Sequence, residues 1–232
     1  MRRVDHYRAE LRTLTTSEWV PYLKEHSGLP GPRANVELAQ AVAEEADSAC
    51  LDALIATDDE YLVFCGVVGL GRLLAGNTSG EVEQRLRIYA TDERWRVREA
   101  VAMALQRLGD SDLPRMLDVV TDWAGDSNAL VQRAAAAGVC VPRLLSTPHA
   151  AATAIEVCDR ATWTLAARPA GERRDPRVRG LRQGLAYCWS VAVAADPGRG
   201  LPRFRALSES ADPDVAWIAR ENSKKARLAR LL

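Results

Sequence analysis

One design recurs along this chain, and it limits the fold more than any other feature does. A polar or acidic turn leads into a helix whose first apolar residue is Leu or β-branched. The design is read at Asp92-Glu-Arg-Trp-Arg-Val97-Arg-Glu-Ala100-Val-Ala-Met-Ala104-Leu and at Asp126-Ser-Asn-Ala-Leu-Val131-Gln-Arg-Ala134-Ala-Ala-Ala-Gly138-Val. It returns at Asp175-Pro-Arg-Val178-Arg-Gly-Leu181 and at Asp212-Pro-Asp-Val215-Ala-Trp-Ile218. Aligned on the first apolar residue, Leu62, Val97, Val131, Val178 and Val215 lie 35, 34, 47 and 37 residues apart. Those periods fit a helix–turn–helix unit, and Asp or Asp-Pro at each start is a natural N-cap.

Positions i, i+3, i+4 and i+7 of the unit are apolar or small: Val97, Ala100, Val101, Ala104, and again Val131, Ala134, Ala135, Gly138. That is one buried stripe at helical period. A single unit cannot bury such a stripe, so neighbours must stack. The small residues at i+7 (Gly69, Ala104, Gly138) predict close approach between helix pairs.

Six pairs follow: 17–27 with 34–46, 48–56 with 59–75, 79–90 with 94–109, 112–124 with 128–145, 148–168 with 175–195, and 199–209 with 212–231. Turn-forming residues fall between them, at Gly28-Leu-Pro-Gly-Pro32, at Gly76-Asn-Thr-Ser-Gly80, and at Arg168-Pro-Ala-Gly-Glu-Arg-Arg-Asp-Pro176, which accounts for the 47-residue period. Pro21 leaves the start of the first helix open. The expected fold is all-α, a right-handed α-solenoid of about six antiparallel helix pairs. Residues 1–232 form one repeat domain, with 1–33 as a capping segment and 34–232 as repeats.

The units resemble the HEAT-repeat family, in which Asp, then Val-Arg, then Ala stand at this spacing. Val97-Arg98-Glu99-Ala100 and Val178-Arg179 match that signature, Val131-Gln132-Arg133-Ala134 carries the base one place later, and Val215-Ala216-Trp217 lacks it. The resemblance covers about residues 48–231 and implies a fold rather than an activity.

Composition agrees: 47% hydrophobic and 27% charged residues belong to a folded chain, and the apolar content is mostly Ala and Leu, which suits helix packing. Net charge is zero, so no global field selects nucleic acid or membrane. The charge is nevertheless uneven. Eight acids and no Lys or Arg lie between Ala34 and Glu60, whereas fourteen Lys or Arg face seven acids from Arg168 onward. The five cysteines (Cys50, Cys65, Cys140, Cys158, Cys188) have no C-x-x-C spacing and read as reduced buried thiols. Met-Arg-Arg-Val-Asp-His has no apolar run behind its charges, so no signal peptide is expected, and no stretch is apolar enough to cross a membrane. A cytoplasmic location is expected.

Catalytic residues do not assemble in the sequence. His6, His26 and His149 are far apart, and no G-x-S-x-G, H-E-x-x-H or P-loop is present. Gly66-Val-Val-Gly-Leu-Gly71 lies inside a helical pattern, where its glycines serve close packing rather than phosphate binding. Asp58-Asp59-Glu60 complements a helix dipole and needs no metal. No cofactor is expected.

The basic residues at the openings of the second helices of the pairs are the candidate site. Arg94, Arg96, Arg98, Arg133, Arg177, Arg179 and Arg182, with Arg220 and Lys224 of the last helix, would form a row on the concave face of a solenoid, fit for acids or phosphates. The first expectation is a non-catalytic scaffold for a protein partner. The alternative is nucleic acid: Asn128-Ala-Leu-Val-Gln-Arg133-Ala-Ala loosely resembles a helix start in the HEAT-like DNA glycosylases of alkylation repair. That resemblance implies a basic groove with Trp and Asp near the lesion. Here Leu or Ala replaces the aromatic, Gln132-Arg133 replaces an Arg pair, and Asp122-Trp123 is the nearby acid–aromatic pair. Trp95, Trp163, Trp189 and Trp217 are expected in the core between repeats.

Overall fold

In the computed structural model, residues 3–76 and 80–232 are described, so part of the turn expected over 76–80 lies outside the described residues. Every regular element among them is helical. The chain divides into two compact units, one ending at Ser111 and the other running from Asp112 to Leu232.

The first unit contains α1 (Arg3–Thr13), α2 (Thr16–Glu25), α3 (Val36–Glu45), α4 (Ser48–Ile55), α5 (Glu60–Gly76), α6 (Glu81–Ala90) and α7 (Trp95–Ser111). Its centre is α5, buried without a break from Tyr61 to Gly71 against α3, α4, α6 and α7. The glycines of α5 make this possible. A Cβ on Gly66 or Gly69 would run into Ile55 or Leu51 of α4, and one on Gly71 would run into the backbone of Ala104 in α7. The close approach between neighbouring pairs is therefore made by Gly71 with Ala104, while Gly69 serves contact within its own pair.

Two differences from the expected pairing occur at the N-terminus. No helix is expected before residue 17, yet α1 packs along α3, and α2 packs on α5 instead. Only Leu11 of α1 is buried, so no apolar period announces the helix. It is held by charge: Glu45 of α3 accepts from Arg8 Nε at 2.6 Å and from Arg12 Nε at 2.7 Å. Pro21 sits inside α2, which starts upstream of it with a capping box between Thr15 and Glu18.

The second unit contains α8 (Leu113–Trp123), α9 (Ala129–Val139), α10 (Pro148–Ala166), α11 (Pro176–Ala195), α12 (Pro197–Ser208), α13 (Pro213–Ser223) and the short α14 (Ala226–Ala229). Here α9, α11 and α13 lie side by side, with α8, α10 and α12 packed behind them. The expected caps are present. Asp175 Oδ1 accepts from Arg177 N at 2.7 Å, and Asp212 Oδ1 accepts from Asp214 N at 3.0 Å and from Val215 N at 3.1 Å. The expected spans 128–145 and 212–231 exceed the helices that form. The first ends at Val139 before a 3-10 turn at Pro142–Leu144, since Pro142 cannot continue the ladder, and the second breaks at Lys224. Two polar groups lock the core. Trp189 Nε1 donates to Thr162 Oγ1 at 2.9 Å, and the fully buried Asn222 bridges α13 to α11 by accepting from Ser190 N at 2.8 Å and donating to Leu185 O at 2.9 Å.

Candidate anion-binding face

The nine basic residues singled out in the sequence differ in how their side chains are engaged, with Arg94, Arg96 and Arg98 in the first unit and the other six in the second. Those of α7 and the turn before it are all engaged within the first unit. Asp92 accepts from Arg94 Nε at 2.9 Å and from Nη2 at 2.8 Å, a bidentate pair that holds the Asp92 carboxyl below its usual range and raises Arg94. Arg96 donates to Glu60 Oε2 at 3.1 Å and lies over the Trp95 ring at 4.9 Å. Arg98 caps the preceding turn through the carbonyls of Asp92, at 2.6 Å, and Glu93, at 2.7 Å. Acids of the 34–60 segment and of the turn thus neutralise this end.

In the second unit the row separates into paired and unpaired members. Arg182 donates to Asp214 Oδ1 at 2.5 Å and stacks 4.4 Å from the Trp217 ring, and Lys224 donates to Glu221 at 2.6 Å. Arg220 is exposed beside Glu221. Arg133, Arg177 and Arg179 have no hydrogen bond or ion pair from their side chains among the described residues.

Two of these unpaired cations, Arg133 and Arg179, bear on one exposed stripe of α11. Arg179, Gln183 and Tyr187 stand at i, i+4 and i+8 and all are exposed. Gly180 and Gly184 lie beside that line, and the aliphatic stem of Arg133 from α9 crosses them; a Cβ on Gly184 would come within 3.3 Å of Arg133 Cγ. The glycines therefore seat Arg133 flat against α11 with its guanidinium uncommitted. On the other side, Arg227 Nη2 donates to the Tyr187 hydroxyl at 3.0 Å, with Lys225 Nζ 5.9 Å from the ring. The result is a basic face with an aromatic at its centre, a combination that suits anions attached to flat groups.

Tyr187 is absent from the residues singled out in the sequence, although the four-residue spacing of Arg179, Gln183 and Tyr187 is a legible signal. Three tryptophans also differ from expectation, since Trp217 is only half-buried, beneath Arg182. Trp189 and Trp123 are fully buried, but Trp95 and Trp163 are 49% and 43% exposed. Trp163 donates to Asp159 Oδ1 at 3.1 Å on α10, in the layer behind the basic face. Gln132 is wholly buried and donates to Ala124 O at 3.2 Å, so it does not extend Arg133 into a pair. The histidines are separate: His26 stacks on Tyr22, His6 lies 3.4 Å from Glu10, and His149 is exposed on α10. Among the described residues, no cluster of His, Cys, Asp or Glu could hold a metal ion, and no helix is long and apolar enough to cross a membrane.

A family model of HEAT repeats matches residues 67–140. No curated relative matches the chain. Among solved structures, AlkD2 from Streptococcus mutans superposes with a TM-score of 0.67 at 16% identity, over 90% of this chain and 98% of that one. The protein smu.31 from Streptococcus mutans UA159 superposes at 0.61 and 17% identity, over 95% and 98%. The fold is the HEAT-like helical-repeat fold, and likeness at this level of identity extends to the fold alone.

Proposed function

We propose that this chain is a non-catalytic binding protein that presents the open face of α9, α11 and α14 to the phosphate backbone of a nucleic acid. One observation carries the reading. Arg133 and Arg179 lie along the same face of α11 as an exposed Tyr187 and have no carboxylate partner, while Asp214 and Glu221 in the same unit are occupied by Arg182 and Lys224. Unpaired guanidinium groups are costly to leave in mutual repulsion, and a polyanion relieves them. The exposed ring adds a surface for base stacking.

A protein partner, first in order from the sequence alone, is the second reading. The neutralised end around Arg94 and Arg96 supports it, because a paired, partly apolar surface with an exposed Trp95 suits a protein better than a phosphate chain. Glycosylase chemistry is not part of the proposal. Asp214 is shared between Arg182 at 2.5 Å and Arg173 at 3.5 Å, so it is not an unengaged carboxylate, and Asp159, tied to Trp163, lies on α10 behind the face. The resemblance at Asn128–Arg133 supports binding only. A cytoplasmic location belongs to the same reading.

The test is a salt titration of duplex binding. Affinity is expected to fall with a slope of log K against log salt of about −0.9 per phosphate contact. Arg133→Glu with Arg179→Glu should weaken binding at least several-fold and flatten the slope by about one for each phosphate-bound arginine removed. Weak duplex binding at physiological salt, indifferent to both substitutions, would leave the protein-partner reading in its place.

A further inference from the structure

The 47-residue period has a structural consequence beside the basic face. Part of the additional length lies in the loop 168–175, whose 3-10 turn Glu172–Arg174 brings Arg173 and Arg174 to the starts of α11 and α13. Between them lies a cleft of about 530 Å³ lined by Arg173, Arg174, Arg179, Arg182 and Asp214.

The four arginines divide by role. Arg173 is anchored: Nε donates to Arg168 O at 2.9 Å, Nη2 donates to Ala166 O, and Nη1 donates to Asp212 Oδ2 at 2.5 Å. Arg182 is anchored by Asp214 at 2.5 Å and by Trp217, and its Nε–H is buried without an acceptor among the described residues. Arg174 and Arg179 are exposed at the rim, and their side chains have no hydrogen bond or ion pair among the described residues. Counting Asp212 and Asp214 against the four guanidinium groups, two positive charges remain uncompensated at the cleft.

We propose that this cleft binds a phosphate monoester dianion. The charge matches: a monoester carries close to two negative charges at neutral pH, a diester only one. The donors match as well, because two free guanidinium forks can each grip a phosphate edge in bidentate fashion. The volume exceeds that of a bare ion and falls in the range of small-ligand sites, so it holds the group the phosphate is attached to. Two sources share this chemistry, a free nucleoside monophosphate and the terminal phosphate of a strand lying on the neighbouring face. Only the second rests on the nucleic-acid reading.

The experiment uses the full chain at fixed ionic strength. Inorganic phosphate and a nucleoside 5′-monophosphate are titrated calorimetrically, and matched oligonucleotides with 5′-phosphate or 5′-hydroxyl ends are compared by anisotropy. Saturable binding of the free monoester is expected, weakening below pH about 6 as its second proton returns. The phosphorylated strand should bind roughly tenfold more tightly than its hydroxyl partner, a difference of about 1.4 kcal/mol. Arg174→Gln should remove both effects while leaving the circular dichroism melt unchanged, since its side chain has no partner to lose. Free-monoester binding without an end preference identifies a nucleotide as the ligand, and an end preference without it identifies the strand end. Failure of the face shows separately, as salt-dependent hydroxyl-strand binding that Arg133→Glu leaves unchanged. No saturable monoester binding together with equal affinity for both strands would overturn the proposal.

Discussion

A buried thiol illustrates how much of this molecule is decided by single residues. Cys65, Cys140, Cys158 and Cys188 are fully enclosed, and each is pushed up from the ordinary thiol range. For Cys65 the cause is burial, whereas for Cys140 and Cys188 it begins with hydrogen bonding among the thiols themselves. Cys140 Sγ and Cys158 Sγ approach to 3.5 Å as thiols, not as a bond. Cys50 alone is half-exposed, against the expectation of five buried thiols. Burial pushes Cys50 up as well, so accessibility decides: native protein should titrate one fast thiol, removed by Cys50→Ser, and denatured, unreduced protein should titrate all five. Two or more fast thiols in the native state, or three in the denatured state, would contradict this. The same scale sets what the sequence could say about the site. That Arg133 and Arg179 open helices was legible from the repeat. That they stay unpaired while Arg96 does not was illegible, because Glu60, the partner of Arg96, lies 36 residues away. The seat of Arg133 across Gly180 and Gly184 joins two units of the repeat and has no local signature.

Among the elements, those with a strong apolar period were legible and those without one were not. The paired helices from α4 to α13 start close to where they are expected because stripe, cap and turn agree there, while α9 and α13 stop short of their expected ends. α1 was invisible because it docks by Arg8 and Arg12 on Glu45, and an ion-pair seam has no period to detect. The run Gly66–Gly71 shows the reverse case, in which a composition that superficially resembles a phosphate loop is a helix surface shaved for contact. Gly71 is the sharpest point of it, since an added methyl meets backbone rather than a movable side chain. Gly71→Ala should therefore destabilise the first unit despite its better helix propensity, by about 1–3 kcal/mol. Gly76→Ala, at the exposed end of the same helix with open space around its Cα, is the control that should not. A chemical denaturation midpoint unchanged in Gly71→Ala would remove the close contact of α5 with α7.

Across the whole molecule, the same ion pairs that fix local geometry predict how stability responds to pH. In the first unit Glu45 is held low, chiefly by the hydrogen bond from Arg12, against the opposing effect of burial, and Asp92 is held low by Arg94. In the second unit burial pushes Asp212 up, but Arg173 and the backbone N–H groups of Val215 and Asp214 outweigh it and leave the carboxyl lowered. A carboxyl lowered in the folded state takes up its proton sooner in the unfolded chain, whose value is about 4. Its contribution is therefore complete above that pH and is lost as pH falls through the lower folded value. The buried thiols act at the other end. Raised when folded, they favour the native state fully below the ordinary thiol value of about 8.5, and that contribution is lost as pH rises beyond it. A thermal melt followed under reductant should thus show a plateau from about pH 4.5 to 8.5 with both limbs falling. Arg12→Gln should make the acid limb shallower, because Glu45 then returns toward its ordinary value and responds to pH alike in both states. A melting temperature that holds from neutrality to pH about 3, or an acid limb unaltered by Arg12→Gln, would show that these pairs do not govern the acid stability.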